Sequence, residues 1–346
     1  MLMTSCLQSA AADTSIPGDL FFFPNIQATN TSGSGAPIDT EENKIEAGID
    51  FFYSYSDERF LALIEYFISR DENEFERFQL GWKADKNTNI WLGRYHNVLG
   101  YWNSAYHHGT YLQTSISRPS IAEFEDDGGV LPMHISGFLL NHENLSSDSK
   151  LNFDLSLGYG PTMETGNLEP VEIFSPGGET FHENISLRLT YFPGLFSNTQ
   201  IGLFAGHSRI EGDNITFSEI EQDQIGIFGL LEGDSLTFLS SVYFIDTTLK
   251  SATGGADSNG DFINGYLQID YLFIDKWTAF TRLENTFDEK DDPYLALIPG
   301  FINEREVAGI RYDIVAKNAL TLEIRKDHSL AGSINYIVLQ WSALLP

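Results

Sequence analysis

From Asn43 onward, apolar and polar residues alternate along the chain with a period of two. Between Lys150 and Gly160, Leu151, Phe153, Leu155, Leu157 and Tyr159 share one parity, while Asn152, Asp154, Ser156 and Gly158 hold the other. Glu183 to Pro193 repeats the pattern, with Ile185, Leu187, Leu189 and Tyr191 set against Asn184, Ser186, Arg188 and Thr190. Phe262 to Phe273, Lys44 to Tyr55 and Ala319 to Lys326 follow the same rule. Successive side chains of a strand point to opposite faces, so the pattern predicts strands with one apolar and one polar face.

About fifteen such strands are expected, starting near residues 44, 58, 73, 88, 132, 150, 183, 198, 218, 234, 262, 276, 303, 318 and 332. Each runs to roughly 9–13 residues. A tilted strand crosses a bilayer in about 9–11 residues, whereas strands of soluble proteins typically have about 5–6. The connections alternate in length. Short turns are assigned at Ser56-Asp57, Asp71-Glu72, Ala84 to Asn87, Gly194 to Asn198, Glu232 to Asp234, Asp275-Lys276 and Ala316 to Asn318. Long connections fall at 96–131, 161–182, 249–261 and 288–302. Short turns at one end and long loops at the other mark outer-membrane barrels. The last strand, Ser333 to Leu345, carries Trp341 at a girdle position and ends at Pro346 rather than an aromatic residue. The fold expected is therefore all-β, a transmembrane antiparallel up-and-down β-barrel of about 14–16 strands over residues 43–346. Thr110 to Arg118 is left without an assignment.

Composition agrees with a membrane read through strands. No run approaches the roughly 18 apolar residues of a transmembrane helix, yet aromatic residues make up 13% of the chain, with 26 Phe and 15 Tyr. The net charge of −29, from 49 acids and 20 bases, argues against a nucleic-acid partner, which requires clustered Lys and Arg. The acids gather in turns and loops: Asp57-Glu58, Asp71-Glu72, Glu123 to Asp127, Glu219 to Asp223 and Asp288 to Asp292. They read as solvated loop faces and also as a vestibule that attracts cations. The single Cys6 excludes an internal disulfide. Residues 1–12 resemble the end of a signal peptide, with Ala10 to Ala12 as the cleavage region, and Met3-Thr4-Ser5 before Cys6 is a poor lipobox. Residues 13–42, rich in Ser, Thr, Gly, Pro and Asn, are expected to be a flexible leader.

Residues 91–137 are the most distinctive stretch. A strand ending Gly93-Arg94-Tyr95-His96 leads through Gly100-Tyr101-Trp102-Asn103, Tyr106-His107-His108-Gly109, Leu112-Gln113 and Arg118-Pro119 to Gly128-Gly129 and Pro132-Met133-His134. With these motifs the segment resembles a group of porin-like outer-membrane proteins of Gram-negative bacteria, and a general likeness to porins covers about residues 43–346. The resemblance implies a pore with an inward-folded loop, but names no solute. The loop would span about residues 96–131. Its aromatic residues, Tyr95, Tyr101, Trp102, Tyr106, Tyr111 and Phe124, would not be left in water without a packing partner, which also argues for folding into the lumen.

The function expected is a passive, cation-favouring diffusion channel for small hydrophilic solutes or ions. Its partners would be outer-membrane lipid and lipopolysaccharide, in a homotrimer or a monomer, and no cofactor is expected. Constriction candidates are Arg94, His96, Tyr101, Trp102, Tyr106, His107, His108, Arg118, Glu123, Glu125, Asp126 and Asp127. Arg188, Arg282, Arg311 and Arg325 join them from polar strand faces, opposite the acids Asp50, Glu65, Asp154, Asp270, Glu284, Asp313 and Glu323. These charges form either a salt-bridged wall or a transverse field that orients solutes in passage. A metal site at His96, His107, His108 and His134 is considered and not favoured, because no His-x-His or His-x-x-x-His spacing exists. No Gly-x-Ser-x-Gly, His-Glu-x-x-His or phosphate-loop motif appears, and the pairs Asn141-His142-Glu143 and His207-Ser208 fall at strand ends. A barrel enzyme of lipase or protease type and a metal-binding or non-conducting structural barrel remain the alternatives.

Overall fold

The computed structural model describes residues 18–33, 43–70, 73–106, 110–164, 166–171, 182–212, 216–290, 292–330 and 332–346. The signal-like start with Cys6, the turn Asp71-Glu72 and the pair His107-His108 lie outside them. The strands are β1 (Asp19–Gly33), β2 (Asn43–Ser56), β3 (Phe60–Ser69), β4 (Asn73–Asp85), β5 (Thr88–His96), β6 (His134–Leu145) and β7 (Lys150–Tyr159). A short hairpin, β8 (Thr162–Glu164) and β9 (Asn167–Glu169), follows. The chain continues through β10 (Glu183–Phe192), β11 (Gln200–Glu211), β12 (Phe217–Glu232), β13 (Leu236–Ser251), β14 (Ser258–Ile274) and β15 (Trp277–Phe287). It finishes with β16 (Ile302–Val315), β17 (Asn318–Ser329) and β18 (Gly332–Ala343).

Without the hairpin, these strands form a closed antiparallel barrel of 16. Each strand pairs with its sequence neighbours, and β1 pairs with both β2 and β18, so no edge is left open. Closure satisfies the strand backbone without water, which lipid cannot replace. In β7 and β10, Leu187 faces Leu155 and Ser186 faces Ser156 across the ladder. The serines are buried inside, whereas Leu187 points outward and is exposed. The outer positions Leu203, Ile225, Leu283 and Ile324 are each more than half exposed. A belt of this kind around the whole barrel is stable only in hydrocarbon, and the protein is an integral outer-membrane barrel.

The turns after β2, β4, β6, β10, β12, β14 and β16 are all short and lie at one end, together with residues 18 and 346. Trp277 stacks on Tyr312 (4.4 Å between centroids) and Phe60 packs against Trp82 (5.9 Å) at that end, as interfacial girdle residues do. The long connections, 97–133, 160–182 and 288–301, share the opposite end. The link between β3 and β4 also falls there, so short length alone assigned it to the wrong side. The third long connection expected, at 249–261, contracts to residues 252–257 because β13 and β14 extend beyond the belt.

The expected flexible leader is corrected over residues 19–33. They form β1, with Phe21 and Phe23 buried inside and Ile26 facing lipid. Three consecutive Phe followed by Pro24 hide the alternation, and the lipid-side positions Asn30 and Ser32 are polar because they rise toward the loop end. Pro24, which has no N–H, sits between the Phe22–Leu345 bridge and the Asn25–Ser342 pair, where the ladder to β18 is interrupted. A chain lacking residues 1–33 is expected to lose the compact, heat-modifiable band of the folded barrel on unheated SDS gels. Retention of that band would show that β1 is dispensable for closure.

Candidate functional site: the lumen and its inward loop

Residues 97–133 leave β5, cross the lumen and return at β6. A backbone inside the barrel must replace the hydrogen bonds it would make to water. Arginines of the far wall do this. Arg282 of β15, fully buried, donates to Ser115 Oγ (2.8 Å), Ser117 O (3.0 Å), Ser117 Oγ (2.9 Å) and Arg118 O (2.8 Å). Its Nε pairs with Glu284 (2.7 Å). From β16, Arg305 donates to Arg118 O (2.5 Å) and Glu123 (2.8 Å), and Arg311 to Tyr111 O (2.8 Å) and Gln113 O (2.6 Å). Acids accept the loop's N–H groups: Glu323 those of Ile116 (2.8 Å) and Ser117 (3.2 Å), and Glu284 that of Ser120 (2.6 Å).

A second attachment is apolar. Strands β11–β14 turn Phe204, Phe228, Tyr243, Phe262 and Tyr266 inward, and Leu99, Trp102, Ile121 and Val130 of the loop pack in one cluster with them. A short helix, α1 (Trp102–Ala105), presents Trp102 to Tyr266 (6.3 Å) and Tyr106 (4.8 Å), with the Arg282 guanidinium 5.4 Å from the Trp102 ring. Gly100, at φ 73°, lets the chain pass where a Cβ would lie 2.0 Å from Tyr243 Oη. Arg188 of β10 pairs with Asp154 (2.7 Å) and also holds Gly100 O (3.1 Å) and Ser104 Oγ. One half of the lumen is thereby filled. On the other side a cavity of about 230 Å³ remains between the loop and strands β18, β1, β2 and β3. Asn25, Gln27, Glu46, Ser69 and Gln340 line the wall, facing Thr110, Gln113, Ile116, Arg118 and Phe124 of the loop.

The neck of the loop is a third attachment. Glu125 Oε1 accepts the N–H groups of Met133 (2.6 Å) and His134 (2.7 Å), while its Oε2 meets His134 Nδ1 (2.9 Å). Burial alone would raise the Glu125 carboxyl, but His134 and these N–H groups hold it below the ordinary carboxylate range. Its grip is therefore full at neutral pH and is lost as pH falls through that lowered value. His134 Nε2 reaches Glu76 (2.9 Å), and the His96 ring lies 5.0 Å from that of His134. Glu76 occupies a bulge in β4 that turns both it and Arg77 inward. Arg77 pairs with Glu65, and Arg94 with Glu74. Gly93, at φ 137°, breaks the alternation of β5, so Arg94 does not follow Ile90 and Leu92 into lipid; a Cβ there would meet Phe78 O at 1.9 Å.

Among the described residues singled out by sequence, Tyr101, Trp102 and Tyr106 join the apolar packing, and Arg118 and Phe124 line the cavity. Arg118 stacks on Phe124 (3.9 Å) and donates to Ala122 O (2.7 Å). Glu123 receives Arg305, whereas Asp126 and Asp127 are exposed beside the loop. Arg325 pairs with Asp327 (3.0 Å) and stacks on Tyr336 (4.1 Å). Arg305 was missed, although counting back by twos from Arg311 reaches it. Glu76 was missed because its bulge breaks the count. Replacing Arg282 with Ala leaves the buried Ser117 carbonyl without its arginine, takes one of two donors from Arg118 O and removes the counter-charge of Glu284, a loss of about 3–5 kcal/mol for a broken buried pair. The folded R282A barrel is expected to be cut by protease within residues 110–118 under conditions that spare the parent protein, and equal resistance would show that Arg282 does not anchor the loop.

No family model and no curated protein matches the chain. Solved structures do resemble it. The outer membrane channel DcaP of Acinetobacter baumannii aligns at a TM-score of 0.61 and 11% identity, over 97% of this chain and 100% of that one. OmpF of Salmonella typhi, in complex with daunomycin, aligns at 0.59 and 11%, over 95% and 97%. Outer-membrane expressed OmpT of Vibrio cholerae aligns at 0.58 and 11%, over 96% and 99%. At such identity the likeness is one of fold: the chain is a porin-like outer-membrane β-barrel with 16 strands.

Proposed function

We propose that the protein is a passive diffusion channel for small hydrophilic solutes or ions, narrowed by its inward loop, cation-favouring and without catalytic activity. The observation that carries this reading is the eccentric cavity between the loop and strands β18–β3, where Asn25, Gln27, Glu46, Ser69 and Gln340 stand beside Phe67 on the barrel wall and the loop that bounds it is fastened from three sides. Asn25, Gln27 and Gln340 offer both donors and acceptors, which suits hydrated solutes of either sign. Three wall arginines that would otherwise favour anions are occupied, since Arg282, Arg305 and Arg311 each pair with a carboxylate and with loop carbonyls, and Arg118 at the cavity is turned against the Phe124 ring and Ala122 O. The net charge of −29 then tips the field toward cations.

Planar-bilayer recordings of the refolded protein test the reading. Stepwise ohmic conductance is expected, with a reversal potential of cation sign under a salt gradient. Gln27→Trp, which adds bulk to the cavity wall, should lower the conductance by about half or more while leaving the barrel folded. A silent bilayer would remove the channel reading, and an anion-signed reversal potential would remove its cation preference.

A further inference from the structure

Three buried metal-ligating side chains meet at the neck of the loop. Glu76, His96 and His134 each place a carboxylate oxygen or ring nitrogen within 4.8 Å of the others' ligand atoms, and all three are buried. His134 Nε2 lies 2.9 Å and His96 Nε2 lies 3.9 Å from Glu76 Oε2. Zinc bonds to His nitrogen and carboxylate oxygen are about 2.0–2.2 Å, so ligand atoms of one tetrahedral ion sit roughly 3.3 Å apart. The observed separations bracket that value. From this convergence we propose that Glu76, His96 and His134 bind one divalent transition-metal ion of the zinc class.

The surroundings strengthen the assignment. A metal-bound histidine characteristically has its other ring nitrogen held by a carboxylate, which fixes the ring and makes the ligating nitrogen more basic. Glu125 does this at His134 Nδ1 (2.9 Å) and is itself fixed by two backbone N–H groups. With Nδ1–H directed to Glu125, Nε2 is the atom left to face Glu76. In the metal-free protein a proton on Nε2 would bridge to Glu76, and the ion takes that proton's place. Two His and one carboxylate suit zinc and its first-row neighbours better than calcium or magnesium, which prefer oxygen. The positions are also distinctive in the fold. His96 ends β5, His134 begins β6 and Glu76 sits on the β4 bulge. An ion there would pin both ends of the loop to a third strand.

The test uses the full chain, refolded in detergent, freed of metal and dialysed against zinc sulfate, with bound metal measured by mass spectrometry after desalting. About one equivalent is expected, together with a rise in the thermal unfolding temperature. Glu76→Gln and His96→Gln should each abolish both effects, while His207→Ala, in the exposed pair with Asp223, should leave them intact. Glu125→Gln should retain the ligands but weaken zinc binding about 10–100-fold, measured by chelator competition. Heat-modifiability on gels establishes that each variant has folded; should His96→Gln not fold, His96→Asn replaces it. Zinc content near zero in the parent protein, or one equivalent retained in folded Glu76→Gln and His96 variants, overturns the proposal.

Discussion

A main chain that enters a barrel gives up water as its hydrogen-bond partner, and that constraint organises the whole interior. The strands answer it by pairing edge to edge, but the loop of residues 97–133 has no such ladder. Its carbonyls are met by Arg282, Arg305 and Arg311 and its N–H groups by Glu284, Glu323 and Glu125. The charged wall thus exists to solvate a peptide. Each arginine is held in place by a neighbouring acid, which explains why bases and acids alternate on β15, β16 and β17.

The remaining contacts divide the lumen unequally. Strands β11–β14 break the usual rule that a barrel interior is polar by turning inward a sheet of aromatic and aliphatic side chains. These need a partner to leave water, and the loop's Leu99, Trp102 and Ile121 supply it. Burying such side chains stabilises by about 1.5–3 kcal/mol each, enough to seat the loop firmly on that side. Around the cavity the opposite strands, β18 to β3, present Asn25, Gln27, Glu46, Ser69 and Gln340 alongside Phe67, and the loop leaves them uncovered. An off-centre opening follows from the distribution of residue types between two walls.

Most strands were legible because lipid on one side and polar groups on the other impose strict alternation. Where alternation was disturbed, reading by pattern failed for a local reason. Phe21 to Pro24 masked β1, and the β4 bulge put Glu76 beside Arg77 on the inner face. Gly93 breaks the parity of β5, so Arg94 turns inward as expected of a lumen residue although strict alternation would set it beside Ile90 and Leu92. Within the loop the aromatic content of Tyr101, Trp102 and Tyr106 pointed to burial, but not to the strands that receive them. His96 and His134 are 38 positions apart in sequence and meet only because β5 and β6 are adjacent. No spacing rule for a single element could show that meeting.

The loop's anchors also carry information about assembly. Ser120 waits for Glu284, 164 residues further along the chain, and Ile116 waits for Glu323, 207 residues further. Contacts this distant in sequence bear a high loop-closure cost and form late. Until β15 to β17 have joined the growing sheet, residues 111–120 lack these polar anchors. The polar fastening of the loop is therefore complete only once the final strands are in place, so closing the barrel and setting its bore belong to one event.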